Sequence, residues 1–413
     1  MRVATHRLKG RDSIAIGVLV GVGGRYESDQ NKGAAHFLEH IVFKGSKKYN
    51  CNQIKELIEG VGGALNAYTT EEQTCYFAKI PSAHLNRTFD ILTDMAFYPR
   101  IPVKEVEKER TVILEEIKMY RDLPQYYVLD LLDELIWPNH PLGKSLAGTP
   151  ESVGRMSRRD LQTFHTGHYA PRNIVIAACG DLDHRGFVRL VQAKTKNIRK
   201  NPTSNNCLKA PDPLPRPKTH FFRKNTEQMH LALGMLGLDI NHKDKYALVL
   251  LNVILGGNMS SRLFNEVREK RGLAYSISSS AKFLKDTGSF TIRAGVDNKK
   301  LVDAVGVVLK ELQKIRRTGV TQGEFARAKD FFLGQLLLEM EDTLEHMLWI
   351  GGSVLIKDRV TTIKEIIKDV RKLSPGDVKG IARDILKESR SNLAVVGPVN
   401  DNQEKRLKGF LGI

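Results

Sequence analysis

Apolar and polar positions alternate in segments along this chain, and two periods recur. Ser13 to Gly23, SIAIGVLVGVG, is apolar and β-branched almost throughout and ends at Gly23 and Gly24, which predicts a strand buried on both faces. A helix follows over GAAHFLEHIVFK, and Asn52 to Gly60 reads as a second short helix with Ile54, Leu57 and Ile58 at helical spacing. Gly62 and Gly63 turn the chain into ALNAYTTEEQTCYFAKIP, two strand-like runs joined by a polar turn around Glu71 and Glu72. Amphipathic helices are predicted over Leu85 to Phe97, Val103 to Tyr120 and Tyr126 to Ile136, with Val106, Val112, Ile113 and Ile117 as core positions of the second. Ser157 is placed to cap a helix through Phe164, and NIVIAACG, Asn173 to Gly180, is a strand.

The second half repeats this outline. MSRRDLQTF followed by NIVIAACG is echoed by LSPGDVKGI and NLAVVG, so that Ser157 matches Ser374, Asp160 matches Asp377 and Asn173 matches Asn392. Ala67 and Tyr68, leading into a strand pair and a helix, resemble Ala274 and Tyr275 in the same order. Two matched segments in one order argue for a duplicated unit. Residues 200–217, rich in Pro, Asn and Ser and without apolar periodicity, read as the linker. The expected fold is α+β: two homologous α/β-sandwich domains in tandem, 1–199 and 218–413, each a mostly antiparallel sheet packed against helices.

Composition narrows the class. The chain has 413 residues, 41% hydrophobic and 27% charged, which suits two packed domains and no disordered excess. No run approaches the roughly 20 apolar residues of a bilayer-spanning helix, and the amino terminus carries no apolar stretch of signal-sequence length, so a cytoplasmic protein is expected. Four cysteines, Cys51, Cys75, Cys179 and Cys207, form no CxxC pair, which argues against a disulfide scaffold and against a thiolate zinc site. The formal net charge of +17 is spread over the chain with acidic residues interleaved. That pattern describes solvated helix faces, and without a basic-aromatic strand motif or a helix-turn-helix no nucleic-acid partner is expected. Acidic peptides or a membrane surface stay open as partners of that charge.

The chemistry concentrates in HFLEH. On a helix His36 and His40 share a face with Glu39 beside them, so two imidazoles can meet one ion. A catalytic zinc takes three protein ligands and leaves one position open, so a further ligand is needed. Glu109 and Glu116 are two turns apart on the helix from Val103, next to its apolar stripe. Buried there they would need a cation or full hydrogen bonding. Taken alone, the same helix is accounted for more simply if its glutamates pair with Lys108 and Arg110.

HFLEH, with ERTVILEEI downstream so that 75 residues lie between His40 and Glu116, resembles the pitrilysin and insulinase family of zinc peptidases, whose inverted HxxEH is a catalytic motif. GGALNAYT, NHPLGKSLAGTPESV and SSRLFNEVREKRGLAYS look like blocks of the same family, so the resemblance covers nearly the whole chain and is nearest to two-domain processing-type peptidases. It implies Zn2+ held by His36, His40 and Glu116, Glu39 as general base for the zinc-activated water, and Glu109 as a second, supporting carboxylate. Asn66 and Ala67 would lie on an edge strand to which an extended peptide adds. Arg268 and Tyr275 match a pair that helps to stabilise the tetrahedral oxyanion. A complete clamshell of this family uses four such domains and this chain has two. The resemblance therefore implies a homodimer, or a related partner subunit, sharing the active site and hydrolysing short unfolded peptides or presequences in a chamber. A non-catalytic scaffold subunit is the competing reading, and the family's scaffold members typically lose the metal residues that this chain keeps. A basic nucleic-acid-binding protein would rest on charge alone.

Overall fold

The computed structural model describes residues 1–198, 207–211 and 216–413, so the linker expected at 200–217 lies largely outside the described residues. These residues form two compact units that do not follow chain order: Met1–Lys118, Ser145–Leu208 and Leu336–Thr362 make the first, and Met119–Lys144, Lys209–Gln335 and Ile363–Ile413 the second. Each unit thus takes one segment from the other half of the chain.

The first unit is built on a five-stranded sheet in the order β1-β5-β2-β4-β3, from β1 (Arg2–Arg7), β2 (Ser13–Val20), β3 (Ala64–Thr69), β4 (Thr74–Pro81) and β5 (Ile174–Gly180). Only β1 and β5 run parallel; β5, β2, β4 and β3 pair antiparallel in turn. The unbroken apolar run of β2 has a direct cause, since both faces of the sheet are covered. Ile14, Ile16, Val18 and Val20 point into the core beneath α1 (Ala34–Val42), α3 (Leu85–Phe97) and α4 (Val103–Asp122), which also takes in Ile54 and Ile58 of α2 (Cys51–Glu59). Ala15 and Leu19 point the other way, against Met347, Ile350 and Val354 of the helix Thr343–Lys357. That helix approaches so closely that a Cβ on Gly17 would lie 2.7 Å from the sulfur of Met347.

The second unit repeats the order as β6-β10-β7-β9-β8, from β6 (Thr219–Arg223), β7 (Gln228–Leu236), β8 (Ala274–Phe283), β9 (Gly288–Asp297) and β10 (Asn392–Gly397). Again one pair, β6 with β10, is parallel and the others are antiparallel. Here the close helix is α5 (Pro124–Ile136), from the first half of the chain: Leu132 and Ile136 lie 2.7 and 2.9 Å from where a Cβ on Gly234 would sit.

The duplication read from sequence has matching local structure. Ser157 with Asp160, and Ser374 with Asp377, each close a capping box at a helix that leads into β5 or β10. Both strands end on a glycine in the same unusual conformation, φ +147° at Gly180 and +149° at Gly397. One core expectation fails. Val112 is 48% exposed, because the buried stripe of α4 runs through Val106, Glu109, Ile113 and Ile117, and residue 112 stands about 100° off Ile113.

Candidate metal and catalytic site

α1 buries Ala34, Ala35, Phe37, Leu38, Ile41 and Val42 and leaves His36, Glu39 and His40 on the remaining stripe. α4 lies beside that stripe and brings up Glu109 and Glu116. His36 Nε2 is 3.7 Å and His40 Nε2 3.6 Å from the same carboxylate oxygen of Glu116. Those separations are too long for hydrogen bonds, so the three groups converge on a point without holding one another. One ligand atom from each of His36, His40 and Glu116 lies within 4.8 Å of the others, and among the described residues this is the one such cluster of three or more His, Cys, Asp or Glu groups. Ligand atoms around a tetrahedral zinc stand about 3.3 Å apart for bonds of about 2.0 to 2.1 Å, so two imidazoles and a carboxylate at this spacing fit a zinc ion.

The protonation states agree with that donor set. Burial, followed by the nearby His40, pushes the His36 imidazole down to about 4, so it is neutral at pH 7 with a lone pair to give. Among the described residues, Nδ1 of His36 is buried without a hydrogen-bond partner, so no polar contact there orients the ring. His40 is held differently: its Nδ1 is 3.2 Å from Oε2 of Glu109, whose other oxygen is 2.5 Å from Nζ of Lys44. A carboxylate behind a ligating histidine fixes its tautomer and its orientation. Lys108 and Arg110 pair instead with Glu105 and Glu107, so the simpler account of the α4 glutamates does not apply to Glu109 and Glu116.

Glu39 stands apart from the three converging groups. Burial raises its carboxyl above the usual range, and a 2.5 Å hydrogen bond donated by Thr69 Oγ1 works against that rise. A carboxylate with an elevated pKa suits proton abstraction near neutrality.

Thr69 ends β3, which among the described residues pairs only with β4 and so is an edge strand. Asn66 is exposed on this strand, and its side-chain oxygen accepts a hydrogen bond from the Ala67 N–H at 2.8 Å. Tyr68 lies on the same face of the strand as Asn66, opposite to Thr69, where its hydroxyl accepts from Gln73 Nε2 at 3.0 Å and its ring packs near Phe77.

Arg268 and Tyr275 lie in the second unit and touch each other. The guanidinium carbon of Arg268 is 5.7 Å from the centre of the Tyr275 ring and 4.8 Å from that of Phe264. Tyr275 is 74% exposed, at a register irregularity where β8 begins. The structure therefore assembles His36, His40, Glu116, Glu109 and Glu39 in the first unit, beside the strand that carries Asn66 and Ala67, and Arg268 with Tyr275 in the second.

Three residues at or behind the site went unread in the sequence. Thr69 could have been found by alternation, because Leu65, Ala67 and Thr69 share the β3 face that meets α1. Lys44 lies one turn beyond His40 and was open to the same helical count. Glu27, which binds the start of α1, left no local signal.

Residues 2–150 match the model of the insulinase family, peptidase family M16, and residues 155–332 match that of the peptidase M16 inactive domain. An uncharacterized zinc protease of Bacillus subtilis, YmxG, is 36% identical across 94% of this chain and 93% of its own length. Another uncharacterized zinc protease, from Streptomyces coelicolor, is 36% identical across 98% of this chain and 90% of its own. Among solved structures, a protease from Helicobacter pylori superposes with a TM-score of 0.90 at 23% identity, over 96% of both chains, a likeness of fold. With relatives this similar along nearly the whole length, the chain belongs to the insulinase family, peptidase family M16.

Proposed function

We infer that this chain, a zinc metallopeptidase, is an endopeptidase that cleaves short unfolded peptides or presequences, with Glu39 as the general base. The observation that carries this reading is the convergence of His36, His40 and Glu116 without hydrogen bonds among them, next to a separate carboxylate whose pKa is raised. Zinc bound there would acidify a water molecule and polarise the scissile carbonyl. Glu39 takes the proton from the attacking water and passes it to the departing amine, and Thr69 keeps that carboxylate aimed. Glu109 supports the site by orienting His40.

The substrate adds to the free edge of β3 as an extended strand, which requires an unfolded peptide and little sequence specificity. In doing so it takes over the Ala67 N–H and releases the Asn66 carboxamide to bond the peptide. Arg268 and Tyr275 act on the developing oxyanion. Since the chain carries both this pair and the metal residues, we propose a homodimer, or a pairing with a related subunit, in which each chain's Arg268 and Tyr275 serve the other's zinc.

A quenched-fluorescent peptide tests the reaction class. Purified protein should cleave it, lose activity to a chelator and recover it with about one equivalent of zinc. Cleavage that persists after complete metal removal would overturn the assignment.

A further inference from the structure

The helix that carries the motif begins without a cap of its own. α1 has nine residues, too few to be stable alone, and the residue at its N-cap position is Gly33, which offers no side chain. Gly33 takes a left-handed φ of +93°, and a Cβ there would lie 2.7 Å from the Ala147 carbonyl oxygen. The orphan N–H groups are met from a distance. Glu27, six residues upstream, accepts the Gly33 N–H with Oε2 at 3.0 Å and the Ala35 N–H with Oε1 at 2.7 Å.

This carboxylate is completely enclosed, with a side-chain exposure of 0%, and Lys32 Nζ, 3% exposed, lies 3.1 Å from it. Lys32 also donates to the Gly24 carbonyl at 3.0 Å, and its own carbonyl accepts from Ser152 Oγ at 2.8 Å. A buried ion pair is a weak source of stability. Its geometry here is specific: both carboxylate oxygens are spent on the first turn of one helix. His36 is the third residue of that helix, immediately after Ala35, whereas Glu39 and His40 lie in its next turn. Loss of the cap frays the first turn and so reaches His36 before the others, and among the described residues nothing hydrogen-bonds Nδ1 of His36 to hold its ring in place.

We propose that Glu27 is a positioning residue for the metal site: by clamping the Gly33 and Ala35 amides it fixes the first turn of α1, and with it the orientation of His36. This rests on the zinc reading given above. It assigns to Glu27 a share in metal affinity that is separate from its share in folding.

The test compares zinc affinity, by competition with a chromophoric chelator, and amide hydrogen exchange of the folded metal-free protein in wild type, Glu27→Gln and Glu27→Gln/Lys32→Met. In Glu27→Gln the zinc Kd should rise about fivefold, the factor that removal of an ordinary helix cap would give, and exchange should accelerate across Gly33 to Phe37. Adding Lys32→Met removes the buried ammonium that faced the Glu27 carboxylate, so the melting temperature should recover while the zinc Kd stays raised. A wild-type zinc Kd in Glu27→Gln, or a Kd that recovers together with the melting temperature in the double variant, would overturn the proposal. If Glu27→Gln does not fold, Glu27→Asp, which keeps the charge beside Lys32 but reaches fewer of the two amides, should show the same two changes in smaller degree, and unchanged values would refute it. Should wild-type protein bind no zinc, the zinc reading fails, and the exchange measurement still decides whether Glu27 orders the first turn.

Discussion

Glu109 offers the sharpest probe of how the proposed metal site is held. It is 6% exposed, lies 3.2 Å from His40 Nδ1 and 2.5 Å from Lys44 Nζ, and makes no hydrogen bond or ion pair with His36 or Glu116. Glu109→Gln keeps the size and one acceptor oxygen but removes the charge. The hydrogen bond to His40 then falls from the charge-assisted range, about 1.5 to 3 kcal/mol, to the neutral range of about 0.5 to 1.5 kcal/mol. The difference between the middles of those ranges is about 1.2 kcal/mol, or about eightfold in zinc affinity. Lys44, a quarter exposed, can turn to water and adds little to the loss. Glu109→Ala removes the acceptor as well and should approach the hundredfold end of the range seen for groups behind a metal ligand, about 10 to 100. Competition against a chromophoric chelator at pH 7 measures both. Wild-type zinc affinity in Glu109→Ala would show that His40 is oriented by something else.

Three further outcomes are expected. Glu324 is held at about 2 by the Arg262 fork, with contacts of 2.7 and 2.8 Å. A carboxyl depressed from about 4.3 in the unfolded chain stabilises the fold above that pH and loses the contribution as pH falls towards 2. The melting-temperature gap between wild type and Glu324→Gln should therefore be constant above about pH 5 and shrink below about 4.3; a gap that widens on acidification would contradict the pairing. Adjacent glycines of the Thr343–Lys357 helix should respond differently. A Cβ at Gly351 would come within 2.7 Å of Leu19 and 2.9 Å of Ala177, so Gly351→Val should cost about 1 to 3 kcal/mol in thermal or urea unfolding. Gly352, with none of the described residues within 4 Å of such a Cβ, should accept Ala with no loss; equal destabilisation at both would refute the close packing of this helix. Finally, mixing inactive Arg268→Ala with inactive Glu39→Gln should restore part of the peptidase activity if the two half-sites meet across chains, and no recovery despite proven subunit exchange would exclude that arrangement.

What the sequence disclosed and what it hid divide along the range of the interactions. The apolar run of β2, the shared face of His36 and His40, and the two-turn spacing of Glu109 and Glu116 are local periodicities, and each could be counted along one element. The matched capping boxes at Ser157 and Ser374 were legible for the same reason. The placement of α5 and of the Thr343–Lys357 helix was not: an amphipathic face announces that it is buried, not which sheet buries it. Each packs on the sheet built mainly from the other half of the chain. Thus the compact units interleave along the sequence. Val112 shows the limit of periodicity even within a helix, because the stripe that meets the core is narrower than the set of apolar residues. Glu27 was invisible because a cap supplied from six residues upstream across an irregular turn follows no fixed spacing.

The central claim is that two histidines and Glu116 hold the metal while Glu39, beside them, moves the proton. Zinc content and peptide turnover measured together on Glu39→Gln test it most directly. The glutamine keeps the shape and a hydrogen-bond acceptor for Thr69 but cannot take a proton. The variant should bind about one zinc per chain with wild-type affinity, with peptide cleavage reduced by about 100-fold or more. Turnover at the wild-type rate with zinc bound would contradict the account.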